Sequence, residues 1–168
     1  MIFKFLSKNF YISFSIVALI YFLDRLSKIY IIQLDKNNLG SDIFNSTYLN
    51  IELIWNKGIA FGLLSFNESY LYNIICLIIA IIIIVLIIMS LKNQGFKRYS
   101  LLMIVGGALG NLHDRIFFNA VPDFIDFHIG NFHWFIFNIS DIFITLGVVS
   151  MIIVELIDKD KYNHDKSI

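Results

Sequence analysis

The sequence predicts an all-α integral membrane protein with four transmembrane helices and a small β-rich subdomain in its outward loops. The first observation behind this prediction is composition: 58% of the 168 residues are hydrophobic and 15% are charged. Soluble domains average about 45–50% apolar and about 25% charged residues. The second is that four segments are long and apolar enough to cross a bilayer, which takes about 20 residues. The length fits a single membrane domain over residues 1–168.

The four predicted helices cover about residues 10–34, 71–91, 99–118 and 141–157. The second of them, LYNIICLIIAIIIIVLIIMSL, contains no charged residue. The first follows two lysines as a signal peptide would, but it is too long and no small-x-small cleavage site follows it. We therefore expect it to be retained as a helix.

The distribution of Lys and Arg predicts the orientation of these helices. Basic residues collect at the amino end, between the second and third helices, and in the carboxyl-terminal tail. This pattern places both termini in the cytoplasm. The loops at about residues 35–70 and 119–140 then face outward, and their aromatic, β-prone sequences indicate contact with the bilayer surface and its lipid. The net charge of zero gives no general attraction to nucleic acid.

Several polar residues interrupt the predicted helices, where a charge at the bilayer centre costs about 2.5–3.5 kcal/mol and indicates function. In the predicted orientation they all lie toward the outward ends of their helices. The outward loop contributes Asp123 and Asp126 at the same depth. The helix residues are three or four positions apart and so share a face within each helix: Asp24 and Lys28; Asn111, Asp114 and Arg115; Asn138 and Asp141.

A site of carboxylates at the edge of the bilayer favours acid–base chemistry. The sequence contains no GxSxG, HExxH, CxxC or phosphate-binding glycine loop. Two neighbouring carboxylates share a proton, so that one can activate water while the other polarises a carbonyl. This is the chemistry of aspartic proteases, and it requires no metal and no cofactor. His113, His128 and His133 could form a metal site with the acids, but no ligand spacing supports one, and we expect none.

Two other classes of protein remain open at this point. A proton-coupled transporter would also carry membrane carboxylates, but it is expected to have broken helices and an internal repeat, and the sequence contains neither. A scaffold protein would use its charges only to hold helices together. Such a scaffold would not require Asp123 and Asp141 to be free of positive partners.

Five short motifs, in order along nearly the whole chain, resemble those of the lipoprotein signal peptidases, also called signal peptidase II. The third motif, GGALGNLHDR, also contains a Gly106/Gly110 pair that would allow close helix approach. The matching residues are Asp24 and Lys28 in DRLSK; Asn56, Gly58, Ala60 and Phe61 in NKGIAF; Gly107, Asn111, Asp114 and Arg115 in GGALGNLHDR; Asp123 in VPDF; and Asn138 and Asp141 in FNISD.

The resemblance implies an endopeptidase of the bacterial inner membrane whose site is on the outward face. Its substrates would be diacylglyceryl-modified prolipoproteins, cut just before the lipidated cysteine. Asp123 and Asp141 would be catalytic, and we expect a monomer. Substrate-binding or supporting roles would fall to Asp24, Lys28, Asn56, Gly58, Asn111, Asp114, Arg115 and Asn138.

Three local expectations follow. Pro122 and Ser140 replace the aliphatic residue and the alanine usual in the family, and Ser140 could help to cap the fourth helix. Residues three apart in an extended segment lie on opposite sides. Asp126 is therefore expected to face the interface or water if Asp123 faces the site. Asn111 and Arg115 are expected to hold the loop and the fourth helix in place.

Overall fold

The computed structural model describes residues 2–37, 43–58 and 69–166. Ala60 and Phe61 of the NKGIAF motif lie outside these residues. The described chain contains four long helices and one small sheet, in agreement with the predicted architecture. In order, the elements are α1 (Ile2–Asn37), β1 (Phe44–Asn45), β2 (Leu49–Asn56), α2 (Ser69–Lys92), α3 (Gly95–Phe118), β3 (Val121–Ile129), β4 (Phe132–Phe137) and α4 (Ile139–Lys166).

Three of the four helices are long and apolar enough to cross a membrane. Their candidate spans are Tyr72–Lys92, Gly95–Phe118 and Ile139–Lys159. Four predicted spans are therefore confirmed only in part. The helix α1 has ample length, at 36 residues, but it carries buried charged residues at Asp24, Arg25 and Lys28.

The helix α3 is the centre of the bundle and packs against α1, α2 and α4. Its glycines permit this close packing. A Cβ atom at Gly106 would lie 2.8 Å from the Cβ of Ile20 on α1, and one at Gly110 would lie 2.6 Å from Asp24 Oδ2. The predicted small-xxx-small pair thus lies where α1 approaches α3 closely.

The sheet is antiparallel, with strand order β1-β2-β3-β4. Strands β3 and β4 form a hairpin with a two-residue loop, and Gly130 in that loop has a φ of 58°. Strand β2 pairs with β3 although α2 and α3 separate them in sequence, and the register places Asn56 opposite Val121. Segments from both predicted loops therefore form one sheet, which confirms the β-rich subdomain.

Pro122 is the second residue of β3 and lies opposite Trp55 of β2. The pairing of β3 with β4 begins only at Ile125. Proline has no backbone N–H to donate to a neighbouring strand. It is therefore tolerated near the start of a strand, where that hydrogen bond is not required. The unusual residue is therefore compatible with a regular strand leading into Asp123.

Candidate active site

Four charged side chains from α1 and α3 form a buried ion cluster: Asp24, Arg25, Lys28 and Asp114. The Lys28 ammonium lies 2.9 Å from Asp24 and 2.7 Å from Asp114. The Arg25 guanidinium lies 3.0 Å from Asp24 and 2.6 Å from Asp114. The expected Asp24–Lys28 pair is present, but Arg25 was not predicted as its partner. Two acids and two bases thus balance one another inside the bundle.

The ion cluster also positions the start of α4. The second oxygen of Asp24 accepts a hydrogen bond from the Ser140 backbone N–H at 3.0 Å. This donor belongs to the first turn of α4, whose N–H groups have no partner within the helix. Ser140 is fully buried and was expected to help cap the helix. Instead, its own N–H is satisfied by α1.

The residue that caps α4 is Asn138, and its reciprocal partner is Asp141. The Asn138 side-chain oxygen accepts from the Asp141 N–H at 3.2 Å, and Asp141 Oδ2 accepts from the Asn138 N–H at 3.1 Å. This exchange is a capping box. It fixes the Asp141 carboxylate at the amino end of a helix, where the helix dipole favours negative charge.

Asp123 on β3 reaches the same place from the sheet. Its Oδ1 accepts from the Asn138 side chain at 2.6 Å, and its Oδ2 accepts from the Asn56 side chain at 2.9 Å. Burial, followed by repulsion from Asp141, raises the pKa of Asp123 from 3.8 to about 6. The two amide donors act in the opposite direction. We call Asp123 and Asp141 the carboxylate pair.

Asn111 connects the ion cluster to the carboxylate pair. Its side-chain oxygen accepts from Lys28 Nζ at 3.0 Å, which leaves its NH₂ group to donate to Asp141 Oδ1 at 2.8 Å. Lys28 therefore determines which way the amide points, because an ammonium group can only donate. Asn111 thereby contacts α4, as expected for a residue that holds this helix in place.

Arg115 holds the segment after β2. Its guanidinium donates to the Gly58 carbonyl and to the Asn111 carbonyl, both at 3.2 Å. The Gly58 N–H in turn donates to the Asn56 side-chain oxygen at 2.8 Å, which orients the amide that binds Asp123. Arg115 was expected to hold the loop before α4, but these bonds are made to the earlier loop.

The carboxylate pair lies in a cavity of about 300 Å³. Polar groups converge on an otherwise apolar lining, which is typical of small-molecule and substrate sites. The lining comes from α2, α3, α4 and the sheet and consists of Asn56, Ile79, Ala108, Asn111, Arg115, Val121, Asp123, Asp141, Ile144 and Thr145.

The third acid of this region, Asp126, is not part of the cavity lining. The expectation that it would face the interface or water is wrong, because it is fully buried. Its Oδ2 lies 2.8 Å from His133 Nδ1 and 3.4 Å from the Asn50 side-chain nitrogen. This contact was not predicted, since it depends on the register of three strands. His113 is elsewhere and lies 2.9 Å from the Tyr21 hydroxyl.

The fold and the geometry of the site define the class of protein: a helical membrane protein with a site formed by two neighbouring carboxylates. A solved structure described as a bacterial membrane enzyme matches it with a TM-score of 0.72 at 31% identity, covering 89% of this chain and 90% of the other. A second, described in the same way, has a TM-score of 0.70 at 33% identity, covering 86% and 92%.

Sequence comparisons identify the family. Residues 16–157 match the family model described as Signal peptidase (SPase) II. A lipoprotein signal peptidase of Pelagibacter ubique (strain HTCC1062) is 49% identical over 160 residues, covering 95% of this chain and 96% of the relative. That of Anaplasma phagocytophilum (strain HZ) is 40% identical, covering 84% and 89%. The chain therefore belongs to the signal peptidase II family, which makes it a protease and confirms the resemblance.

Proposed function

We propose that the protein is an aspartic endopeptidase that removes the signal peptide from diacylglyceryl-modified prolipoproteins. In this proposal Asp123 and Asp141 activate water and cut the bond just before the lipidated cysteine. The observation that carries it is the carboxylate pair, which lies in one cavity. Within the described chain, neither acid has an ion pair with Lys or Arg, and their hydrogen-bond donors are amides.

The shared proton gives each acid a role. With its pKa raised to about 6, Asp123 is the member that keeps a proton at mildly acidic pH. Asp141, held by two donors at the amino end of α4, is the ionised member and takes a proton from water. Asp123 then donates its proton to the carbonyl oxygen of the scissile bond. Attack of the water oxygen on the carbonyl carbon forms a tetrahedral diol intermediate. Asp141 passes the proton that it took from water to the departing amine, and Asp123 recovers its proton as the carbonyl re-forms and the C–N bond breaks, without a cofactor.

An apolar groove continues from the cavity and supports a lipid-bearing substrate. A second cavity of about 410 Å³ shares Asp141 and Thr145 with the first. Its lining is mostly aromatic and aliphatic, and includes Trp134, Phe135 and Leu146. A peptide bound across Asp141 would thus have the residues on one side of the cleaved bond against this apolar surface. That arrangement suits a cysteine carrying acyl chains in contact with membrane lipid.

The lipid requirement gives the direct test of this function. The purified protein in detergent is given a precursor peptide with a diacylglyceryl cysteine, and the same peptide with an unmodified cysteine. We expect cleavage only of the lipidated peptide, at the bond before the cysteine, as read by mass spectrometry. Equal cleavage of both peptides, or a cut elsewhere, would contradict the substrate assignment. Asp141→Asn serves as the inactive control.

The proposal includes four spans in the bacterial inner membrane, α1 among them, with both termini cytoplasmic and the site outward. It also takes the working unit to be a monomer, since the carboxylate pair and its donors come from one chain. Reporter fusions at residues 95 and 130 test the orientation. We expect a cytoplasmic signal at residue 95 and an outward signal at residue 130; the reverse result would rule out this topology.

A further inference from the structure

A second group of polar side chains lies on the sheet, away from the carboxylate pair: Asp126, His128 and His133, here called the hairpin cluster. One ligand atom from each lies within 4.8 Å of the others. His128 and His133 are directly opposite each other on β3 and β4, and their rings stack with centroids 5.0 Å apart. The tight hairpin loop brings them together, although four residues separate them in the sequence.

The hairpin cluster has polar atoms that the described protein leaves unsatisfied. Asp126 is fully buried, and its Oδ1 has no hydrogen-bond partner among the described residues. The Nδ1 of His128 is also buried without a hydrogen-bond partner in that part of the chain, 3.9 Å from Asp126 Oδ2. A buried carboxylate is costly unless a positive charge compensates it. The groups nearest to its Oδ2 are the two imidazoles, with the Nδ1 of His133 at 2.8 Å and that of His128 at 3.9 Å.

We propose that the hairpin cluster binds a divalent transition-metal cation, with Zn²⁺ as the best-suited ion. Imidazole nitrogen and carboxylate oxygen are normal zinc ligands, at about 2.0–2.2 Å from the metal. Tetrahedral geometry at that bond length separates the ligand atoms by about 3.3 Å. The two distances from Asp126 Oδ2, 2.8 Å to His133 and 3.9 Å to His128, lie on either side of this value. Side-chain rotations that bring His128 closer to Oδ2 and move His133 slightly away would bring both distances to this value.

The surroundings of the hairpin cluster fit an accessible metal site with a supported ligand. The Asp126 side chain is 1% exposed and that of His128 is 11%, whereas that of His133 is 52% exposed and opens the site to the outside. The fourth position would be filled by water. The Asn50 side chain, opposite Asp126 on β2, is 3.4 Å from its Oδ2 and would orient the ligand.

The hairpin cluster is separate from the catalytic proposal. Asp126 and Asp123 are three residues apart on β3 and so lie on opposite sides of the strand. The pairing irregularities of β3 with β2 and β4 each place the additional residue in the partner strand, not in β3 itself. A cation bound there would stabilise the hairpin and the strand that carries Asp123, and would take no part in cleavage.

The experiment is a ZnCl₂ titration of tag-free, EDTA-treated protein in detergent, followed by calorimetry and by thermal melting. The double variant His128→Gln/His133→Gln removes two ligands, and His113→Gln is the matched control outside the cluster. We expect wild type and His113→Gln to bind one Zn²⁺ per chain and to melt at higher temperature with zinc. Binding by the double variant should weaken by more than the roughly 10–100-fold that loss of an outer-shell partner costs.

Two results would overturn the proposal. Absence of saturable zinc binding by wild type would show that the Asp126–His133 contact is only a hydrogen bond that holds the hairpin. Unchanged one-to-one binding by the double variant would place the zinc elsewhere. If the double variant does not fold, His133→Gln replaces it, because that side chain is half-exposed. Since the readout is binding and not cleavage, neither result bears on the peptidase proposal.

Discussion

The buried ion cluster and the carboxylate pair each contain two aspartates, but the groups that surround these aspartates differ. In the ion cluster, Asp24 and Asp114 each contact both Lys28 and Arg25 within 3.0 Å. In the carboxylate pair, the hydrogen-bond donors are amide groups: the side chains of Asn56, Asn111 and Asn138, and the Asn138 backbone N–H. The first two acids are thus paired with basic side chains, whereas the second two have only neutral amide donors among the described residues, as the proposed exchange of a proton requires.

This contrast separates the four aspartates into two kinds, although the two groups lie close together in the structure. Lys28 belongs to the ion cluster, and within the described residues its hydrogen bonds reach the carboxylate pair only through the Asn111 amide. The Asn111 amide is oriented by Lys28 and donates to Asp141, so the positive charge of Lys28 stays one side chain away from that carboxylate. A direct Lys contact would favour the ionised form of the acid and oppose the proposed sharing of a proton. Each of the following experiments changes one side of this comparison.

Removing either acid of the carboxylate pair should have the largest effect. We expect Asp123→Asn and Asp141→Asn each to abolish cleavage, with losses on the order of 10⁴-fold or more, because groups that act as a unit fail together. Asp141→Asn retains a side-chain oxygen for the Asn138 N–H, so the fold should survive. Cleavage of the lipidated precursor by each purified variant is the measurement.

The control for this experiment is Asp126→Asn, which changes the same residue type on the same strand. It should keep most of the activity, although the hairpin is expected to be less stable because Asp126 contacts His133 and Asn50. Full activity in Asp123→Asn, or complete loss in a well-folded Asp126→Asn, would show that the wrong acid has been assigned to Asp141.

Breaking the ion cluster should mainly reduce stability. Lys28→Met leaves Asp24 and Asp114 buried with one cation fewer, and loss of one partner of a buried pair costs about 3–5 kcal/mol. Activity should fall as well, since the Asn111 amide loses its orienting donor. Unfolding in detergent measures the change. Lys97→Met removes the exposed pair with Glu155 and should leave the melting temperature unchanged; equal effects of the two variants would contradict this account.

Arg115→Ala should lower both stability and activity by a smaller amount. The guanidinium makes two hydrogen bonds to carbonyl oxygens, both at 3.2 Å, which is the long end of the normal range. We therefore expect each to contribute at most about 1.5 kcal/mol, the lower limit for bonds from charged groups. Loss of the Gly58 contact should also free the Asn56 amide. The comparison is Arg98→Ala, whose bonds to Asn9 and Ser13 lie at the other end of the bundle.

Thermal melting and cleavage together distinguish the outcomes for Arg115. We expect Arg98→Ala to lower the melting temperature alone and Arg115→Ala to lower both quantities. If Arg115→Ala lost activity while melting temperature and substrate binding stayed as in wild type, the arginine would have a direct role in the chemistry.

The smallest effect concerns the pH dependence of cleavage. Asp123 holds its proton below about pH 6 and loses it above, so kcat/KM should decline as the pH rises through that value. The Asn56 donor lowers the pKa of Asp123, against the effects of burial and of Asp141. Asn56→Ala should therefore move the decline to higher pH. Asn50→Ala, which removes an amide beside Asp126, should leave the profile in place; a shift to lower pH in Asn56→Ala would contradict the assignment of the proton.

Local patterns predicted the helices, the sheet and the members of the carboxylate pair, because hydrophobic length and short motifs are properties of contiguous sequence. The contact between Arg25 and Asp114 was missed, since it depends on how α1 is rotated against α3. The reciprocal cap of α4 was readable in NISD, where an N-cap type residue precedes an acid by three positions.

The environment of Asp126 could not be predicted for a different reason. Its burial results from β2, β3 and β4 pairing in one register, in which Asn50 and Ile136 are its neighbours. That register joins segments separated by two long helices, and a shift by one residue would change which face every side chain occupies. The same long-range pairing brings Asn56 to Asp123, which the motif alone did not explain.

The double role of Asp141, as a proposed catalytic acid and as the cap partner of Asn138, has a consequence for how the protein is made. The helix α4 leaves the ribosome after α1, α2 and α3, and its first turn sets this carboxylate in place. Until that turn forms, Asp123 lacks the partner that the proposed mechanism requires. A chain inserted only as far as α3 is therefore expected to cut no membrane protein around it, because the proposed catalytic pair forms only after α4 has been inserted.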